Sequence, residues 1–106
     1  MKKDLSFGKV ISDARKELSL SQKELAERIR REEDGEPISP QYLNDIERDR
    51  RTPSSDHLVS QFAKVLKLEA DYLHYLNGRM PPDVRDAKLS EKELVGVMKA
   101  FRKSAK

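Results

Sequence analysis

Two neighbouring stretches decide the fold, LSQKELAERI at residues 20–29 and ISPQYLNDIER at residues 38–48. In the first, Ser21 is followed three residues later by a glutamate, which is the pattern of a helix capping box ahead of an apolar stripe. In the second, Ser39 precedes Pro40, which is typical of a helix start because the first turn does not need the N–H that proline lacks. The spacing therefore predicts two short helices joined by a turn, with polar residues on the outer face of the second.

The flanking segments also carry the helical period, with apolar residues at spacings of three and four. This period predicts flanking helices over residues 7–18 and 70–77, while the helix of the second stretch covers residues 40–48. A further helix begins at Ser54 or Ser55. The inward stripe of that helix comprises Leu58, Phe62, Val65 and Leu66. No alternation typical of a strand occurs, so we expect an all-α fold.

The chain beyond Pro81 and Pro82 forms a separate segment, because two consecutive prolines break the helical pattern. Ser90 caps a last amphipathic helix, and its basic tail ends at Lys106. The apolar stripe of this helix comprises Leu94, Val97, Met98 and Phe101. A lone helix cannot bury such a stripe, so it packs on its own domain or serves as a dimerisation arm on a second copy.

The expected organisation is a five-helix domain over residues 1–78, a linker over 79–89 and a C-terminal helix over 90–106. The linker is long enough to reach a second subunit, which favours the dimerisation arm. The whole chain of 106 residues fits one small domain with an appended tail.

The amino-acid composition excludes several kinds of site and of protein. The chain has no cysteine, which excludes a disulfide framework, a thiolate zinc site and a cysteine nucleophile. No apolar run is long enough for a signal peptide or a membrane span, so we expect a cytoplasmic protein without membrane contact. The net charge of +3 is a mild excess that hints at an anionic partner. Residues 31–53 are nevertheless acidic, with seven acidic and four basic side chains.

The two stretches, together with Arg51-Thr52-Pro53-Ser54, resemble the Xre family of Cro and phage-repressor-type helix-turn-helix proteins across about residues 7–77. The L-S-Q-x-E-L-A block, the Y-L-x-x-I-E-R block and the later P-S are specific when taken together. The resemblance implies a five-helix DNA-binding domain that usually regulates transcription, most often as a dimer on a palindromic operator. It also implies that Gln22 bonds the DNA backbone and braces the recognition helix.

Matching the recognition helix position by position implies contacts for particular side chains. Base-edge contacts fall at Pro40, Gln41, Asn44 and Asp45. Backbone contacts fall at Ser21, Gln22, Ser39, Tyr42, Arg48 and Arg51.

Physical chemistry supports part of this assignment independently. Gln41 and Asn44 lie three residues apart on one helix face, and amide side chains can pair bidentately with adenine N6 and N7. The start of the second helix offers N–H groups to a phosphate. The Asp45 carboxylate is repelled by nearby phosphates unless it accepts a hydrogen bond from cytosine N4 or forms an ion pair with Arg48. A structural or discriminatory role for Asp45 stays equally open. Three basic residues follow the recognition helix, Arg48, Arg50 and Arg51. They either bind DNA phosphates or are solvated loop charges.

One departure from the family concerns the turn, which is about seven residues longer than usual. Residues 30–38 fill it, and four of them are acidic. Two interpretations stay open. Either the insert points away from DNA, or the second helix continues through Arg30 to Glu33 and docks Ile38 on the core. The insert also offers a surface for a protein partner.

These observations favour a sequence-specific DNA-binding regulator, a homodimeric repressor, with no cofactor and no metal. The alternative is an antitoxin-like interaction protein that binds a partner through its C-terminal helix or its insert, with DNA binding for autoregulation. A third is a scaffold that has lost DNA contact. Nothing suggests an enzyme, because no phosphate-binding glycine loop or zinc spacing occurs. We expect His57 and His74 to be surface or satisfied core residues.

Overall fold

The computed structural model describes residues 5–105. The first four residues of the expected domain, and Lys106 of the expected basic tail, therefore lie outside the described residues. Seven helices occupy the described part of the chain. They are α1 (Phe7–Glu17), α2 (Gln22–Arg28), α3 (Pro40–Glu47), α4 (Asp56–Leu66), α5 (Ala70–Leu76), α6 (Pro82–Arg85) and α7 (Glu91–Ser104). The expectation of an all-α fold is confirmed.

Serine caps begin five of these helices, as the sequence pattern predicted. In each, the serine hydroxyl accepts a hydrogen bond from the backbone N–H three residues later, which satisfies one of the free donors of the first turn. The caps are Ser6, Ser21, Ser39, Ser55 and Ser90. Ser21 and Ser90 form complete capping boxes, in which the backbone N–H of the serine donates to Glu24 or Glu93. These hydrogen bonds lower the pKa of both glutamates.

The first five helices surround one apolar core. Helix α1 packs on α3 and α4, α2 packs on α3, and α4 packs on α5. The rings of Phe7 and Phe62 meet edge to face with centroids 6.2 Å apart, which is a favourable geometry for two aromatic side chains. The apolar side chains that are completely buried include Ile11, Leu25, Leu43, Ile46 and Leu73.

The insert between α2 and α3 is a tight hairpin turn and not a helical extension. Helix α2 ends at Arg28, and Ile29 already has extended backbone. Arg30 and Pro37 then pair as an isolated antiparallel bridge. The interpretation that the second helix continues through Arg30 to Glu33 is therefore wrong, although Arg and Glu favour helices.

The physical reason is burial at both ends of the insert. Ile29 and Ile38 are both in the core, and the Ile38 N–H donates to the Ile29 carbonyl at 2.9 Å. A chain that must return at once to the core cannot run on as a helix. Gly35 makes the reversal with φ of +69°, a left-handed conformation that glycine adopts without strain. The docking of Ile38 on the core is confirmed.

The segment after the core contains one element that the sequence did not predict, the single helical turn α6. Pro82 occupies its first turn, where proline is tolerated. Arg85 in α6 donates to Asp56 at the start of α4, with Nη2 and Oδ2 2.6 Å apart. Residues that we interpreted only as a linker are thus tied to the body. No helix within residues 5–105 combines the length and apolar character needed to cross a membrane.

Candidate nucleic-acid interface

An ion pair beneath α3 fixes this helix to α1. Arg15 donates to Glu47 through two hydrogen bonds, from Nε to Oε2 at 2.7 Å and from Nη2 to Oε1 at 3.0 Å. The side chains are only 12% and 5% exposed. Arg15 also donates to the Leu20 carbonyl at 2.8 Å and so holds the chain entering α2. Bidentate pairs of this kind fix orientation as well as distance.

Gln22, the first residue of α2, joins this network. Its Nε2 donates to Glu47 Oε1 at 3.0 Å and to Asn44 Oδ1 at 3.2 Å. The amide thus links the start of α2 to the middle of α3. This is the bracing that the family resemblance implied for Gln22.

The outer face of α3 carries the side chains expected to touch bases. Pro40 and Gln41 are exposed, and Asn44 and Asp45 are half-buried. Gln41 Nε2 donates to Asp45 Oδ1 at 3.1 Å, which connects two of the four along the helix. The structure therefore brings the four predicted base-contact positions together on one surface.

Asp45 finds its ion-pair partners in the loop that follows α3. Arg50 and Arg51 lie 3.1 and 3.4 Å from its carboxylate. Pairing with Arg48, one of the alternatives that the sequence left open for Asp45, does not occur among the described residues, because Arg48 Nε donates to Asn44 Oδ1 at 3.3 Å instead. The cause is the turn after α3, where the N–H groups of Arg50 and Arg51 both donate to the Asp45 carbonyl and so return the two arginines to it.

The positions expected to touch the DNA backbone border this surface. Ser21 and Ser39 are exposed at the starts of α2 and α3. The ring of Tyr42 lies under the guanidinium of Arg51, whose central carbon is 5.7 Å from the ring centroid. This is within the range of a cation–π interaction. Arg48, Arg50 and Arg51 are all exposed, so their cationic groups are accessible to phosphates.

Sequence reasoning missed Arg15 and Glu47, which hold the interface in place without lying on it. No local pattern identifies them, because they are 32 residues apart and each is an ordinary charged residue of an amphipathic helix. It also missed Gly8, whose N–H donates to Asp49 Oδ1 at 3.0 Å and brings α1 close to the end of α3. The only available signal was a small residue within the apolar period of the first helix.

The two histidines lie away from this interface. His57 Nε2 is 3.0 Å from the Arg30 carbonyl and holds one end of the insert. His74 is buried in α5, and its Nδ1 has no hydrogen-bond partner among the described residues. Asp56 Oδ1 is 3.9 Å from that nitrogen. His74 is thus a core residue, as expected, but not a satisfied one.

The fold and this surface define a helix-turn-helix domain with an extended turn. The model of the helix-turn-helix family HTH_3 matches residues 11–73, and the chain belongs to this family. The family comprises transcription regulators and not enzymes, so the prediction that the chain is not an enzyme is confirmed. The Xre-type resemblance is confirmed as well.

Known proteins with similar chains agree with this family. Two uncharacterised HTH-type transcriptional regulators, from two strains of Mycobacterium tuberculosis, are each 34% identical over an alignment of 88 residues, and the match covers 79% of this chain. The chain spans 57% of the length of these relatives. A solved SinR protein/SinI protein complex contains a chain with a TM-score of 0.52 and 25% identity, covering 92% of this chain and 98% of that one.

Proposed function

We propose that the protein is a sequence-specific DNA-binding transcription regulator that inserts α3 into the major groove. The observation that carries the proposal is the outer face of α3, where the amides of Gln41 and Asn44 are accessible beside each other on a helix locked from below. Amide side chains can bond base edges, and a recognition helix presents such residues to the major groove. The family membership supports the same function.

In this proposal, phosphate contacts supply most of the affinity and base contacts choose the site. The phosphates bind to groups on and around α3, of which Gln22 and Tyr42 are half-buried and the others exposed. These are Ser21, Gln22, Ser39, Tyr42, Arg48, Arg50 and Arg51. Gln22 contributes its backbone N–H at the start of α2, because both protons of its amide are donated within the protein. Asp45 partly neutralises Arg50 and Arg51 in the free protein, and a phosphate competes with its carboxylate for them.

We further propose that the protein binds a palindromic operator as a homodimer and represses transcription by occupying it. The support lies in α7, where Leu94, Val97 and Phe101 are 43%, 44% and 55% exposed. The Phe101 ring is 6.3 Å from the ring of Tyr75, which is itself 61% exposed, so the apolar surface continues onto α5. Met98, the fourth residue of the predicted stripe, is half-buried.

A second candidate function is an antitoxin-like or regulatory role, in which the partner is a different protein. The SinR protein/SinI protein complex supports it, because a chain similar to this one occurs there in a complex. The exposed stripe of α7 and the acidic hairpin of residues 30–38 are the surfaces available for such a partner. This candidate would be favoured if a second protein co-purified in stoichiometric amount and stayed bound at high salt.

The test of the first proposal is selection of duplexes from a random library, followed by a salt titration on the best site. We expect an inverted repeat with half-sites about one helical turn apart, and affinity that falls as salt rises. General binding without any enriched sequence would contradict the proposal.

Light scattering, which measures the molecular mass in solution, tests whether the protein is a dimer. The Val97→Glu variant should shift the protein towards monomer, because it places a charge in the stripe. Val95→Glu is the matched control, since Val95 is equally exposed but lies on another face of α7. Equal effects of the two variants would contradict an interface on the stripe.

The cytoplasmic location of the protein stays a prediction.

A further inference from the structure

We infer that Asn44 reads guanine and not adenine, because the network beneath α3 occupies the oxygen of its amide and leaves both N–H groups without a hydrogen-bond partner among the described residues. The inference rests on the proposed function and adds the base that this position selects. It depends on whether the oxygen or the nitrogen of each side-chain amide faces its neighbours, and the hydrogen-bond partners determine this orientation.

The choice begins at Glu47, whose carboxylate can only accept hydrogen bonds while it is paired with Arg15. The amide atom of Gln22 that lies 3.0 Å from Glu47 Oε1 must therefore be the nitrogen. This nitrogen has two protons. One is donated to Glu47, and the other is donated to Asn44 at 3.2 Å.

Asn44 is thus flanked by two donors. Besides Gln22 Nε2, Arg48 Nε lies 3.3 Å away, and a guanidinium has no acceptor. Both neighbours require an oxygen, so Asn44 Oδ1 points towards them. Asn44 Nδ2 has no protein partner within residues 5–105, and its two N–H groups stay available for DNA.

This orientation decides which base edge fits. Bidentate pairing of an amide with adenine requires the oxygen to accept from N6 and the nitrogen to donate to N7. The oxygen of Asn44 is already engaged by the protein. Guanine presents two acceptors in the major groove, N7 and O6, and so matches two outward donors, whereas thymine and adenine present one each.

Gln41 provides an internal contrast. Its Nε2 donates one proton to Asp45 Oδ1, which leaves its Oε1 and a second proton unused. Gln41 can therefore still pair with adenine in the bidentate manner. The arrangement predicts that each half-site contains a guanine facing Asn44 and an adenine facing Gln41.

The test is selection of sites from a random duplex library by the full chain and by Asn44→Asp. An aspartate at position 44 keeps an oxygen for Gln22 and Arg48 but presents an acceptor to the groove. We expect the base pair read by Asn44 to change from guanine to cytosine on the same strand, with a reversal of about tenfold or more in relative affinity. Asn44→Ala identifies that base pair, because it should lose the guanine preference there without gaining another.

Each outcome bears on the inference. If the wild-type protein selects adenine at the base pair that Asn44→Ala identifies, the inference is overturned while the proposed function stands. The inference is equally overturned if Asn44→Asp or Asn44→Ala retains the guanine preference. If the wild-type protein enriches no sequence, the proposed function itself fails. Thermal unfolding establishes that the variants fold. If Asn44→Asp does not fold, the test rests on Asn44→Ala.

Discussion

At position 8 a hydrogen atom is the largest side chain that the fold accepts. A Cβ placed on Gly8 would lie 2.3 Å from the Ile46 carbonyl oxygen and 2.7 Å from that of Glu47. We expect Gly8→Ala to lower the free energy of unfolding by about 1–3 kcal/mol, because α1 and α3 must separate to admit the methyl group. Urea denaturation measures this change.

Gly96 supplies the matched control for the same substitution. It lies within α7 with nothing within 4 Å of its added Cβ. Gly96→Ala should raise stability by up to about 1 kcal/mol, since alanine favours a helix more than glycine does. If Gly8→Ala were as well tolerated as Gly96→Ala, the close approach of α1 and α3 would be wrong.

At the scale of elements, the position of α3 depends on the Arg15–Glu47 pair. Arg15→Met should lower the free energy of unfolding by about 3–5 kcal/mol, because it leaves the Glu47 carboxylate buried without an opposite charge, which the neutral Gln22 amide does not replace. Lys9→Met is the control, since Lys9 pairs with Asp13 at the surface with side chains 55% and 47% exposed. That variant should cost less than about 1 kcal/mol. Similar losses in chemical denaturation would show that the buried pair does not hold the interface.

Helix boundaries were predictable where local chemistry decides them. The serine caps, such as Ser21 with Glu24, signal a helix start within four residues of sequence. The hairpin at residues 30–37 was not predictable in the same way, because its residues favour a helix and only the burial of Ile29 and Ile38 overrides them. Tertiary packing, which has no local signature, decided that element.

At the scale of the whole molecule, Asp56 ties the segment after the core to the body. Arg85 and Arg79 both lie within ion-pair distance of it. The hydrogen bond from Arg85 lowers the pKa of Asp56 below its ordinary value, and it raises the pKa of Arg85. The pairing therefore stabilises the protein above the usual aspartate pKa of about 3.9 and is lost as the pH falls through the lower pKa of the folded state.

Removing this anchor should expose the linker at neutral pH. We expect Asp56→Asn to accelerate tryptic cleavage after Arg85, because the arginine loses its strongest partner. Asp83→Asn serves as the control, because Asp83 is an exposed aspartate of α6 that forms no ion pair among the described residues. Equal cleavage rates for wild type and Asp56→Asn would contradict the anchoring role.

Much of the candidate interface was predictable because the positions of α3 follow from the family motif. The partners of those positions were not. Asp45 pairs with Arg50 and Arg51 because the turn after α3 returns the chain, and the sequence alone suggested Arg48. Long-range pairs such as Arg15 with Glu47 depend on the packing of helices, which single-residue patterns do not encode.

The most direct test of the central claim, that α3 reads DNA sequence, is the affinity of Gln41→Ala for the selected operator and for variants at each base pair. The account predicts that preference is lost at one base pair of each half-site, at a cost of roughly 1–3 kcal/mol on the best site. Gln61→Ala, the same change on α4, should leave the preference intact. An equal loss of affinity on all sequences, operator and scrambled DNA alike, would contradict the claim.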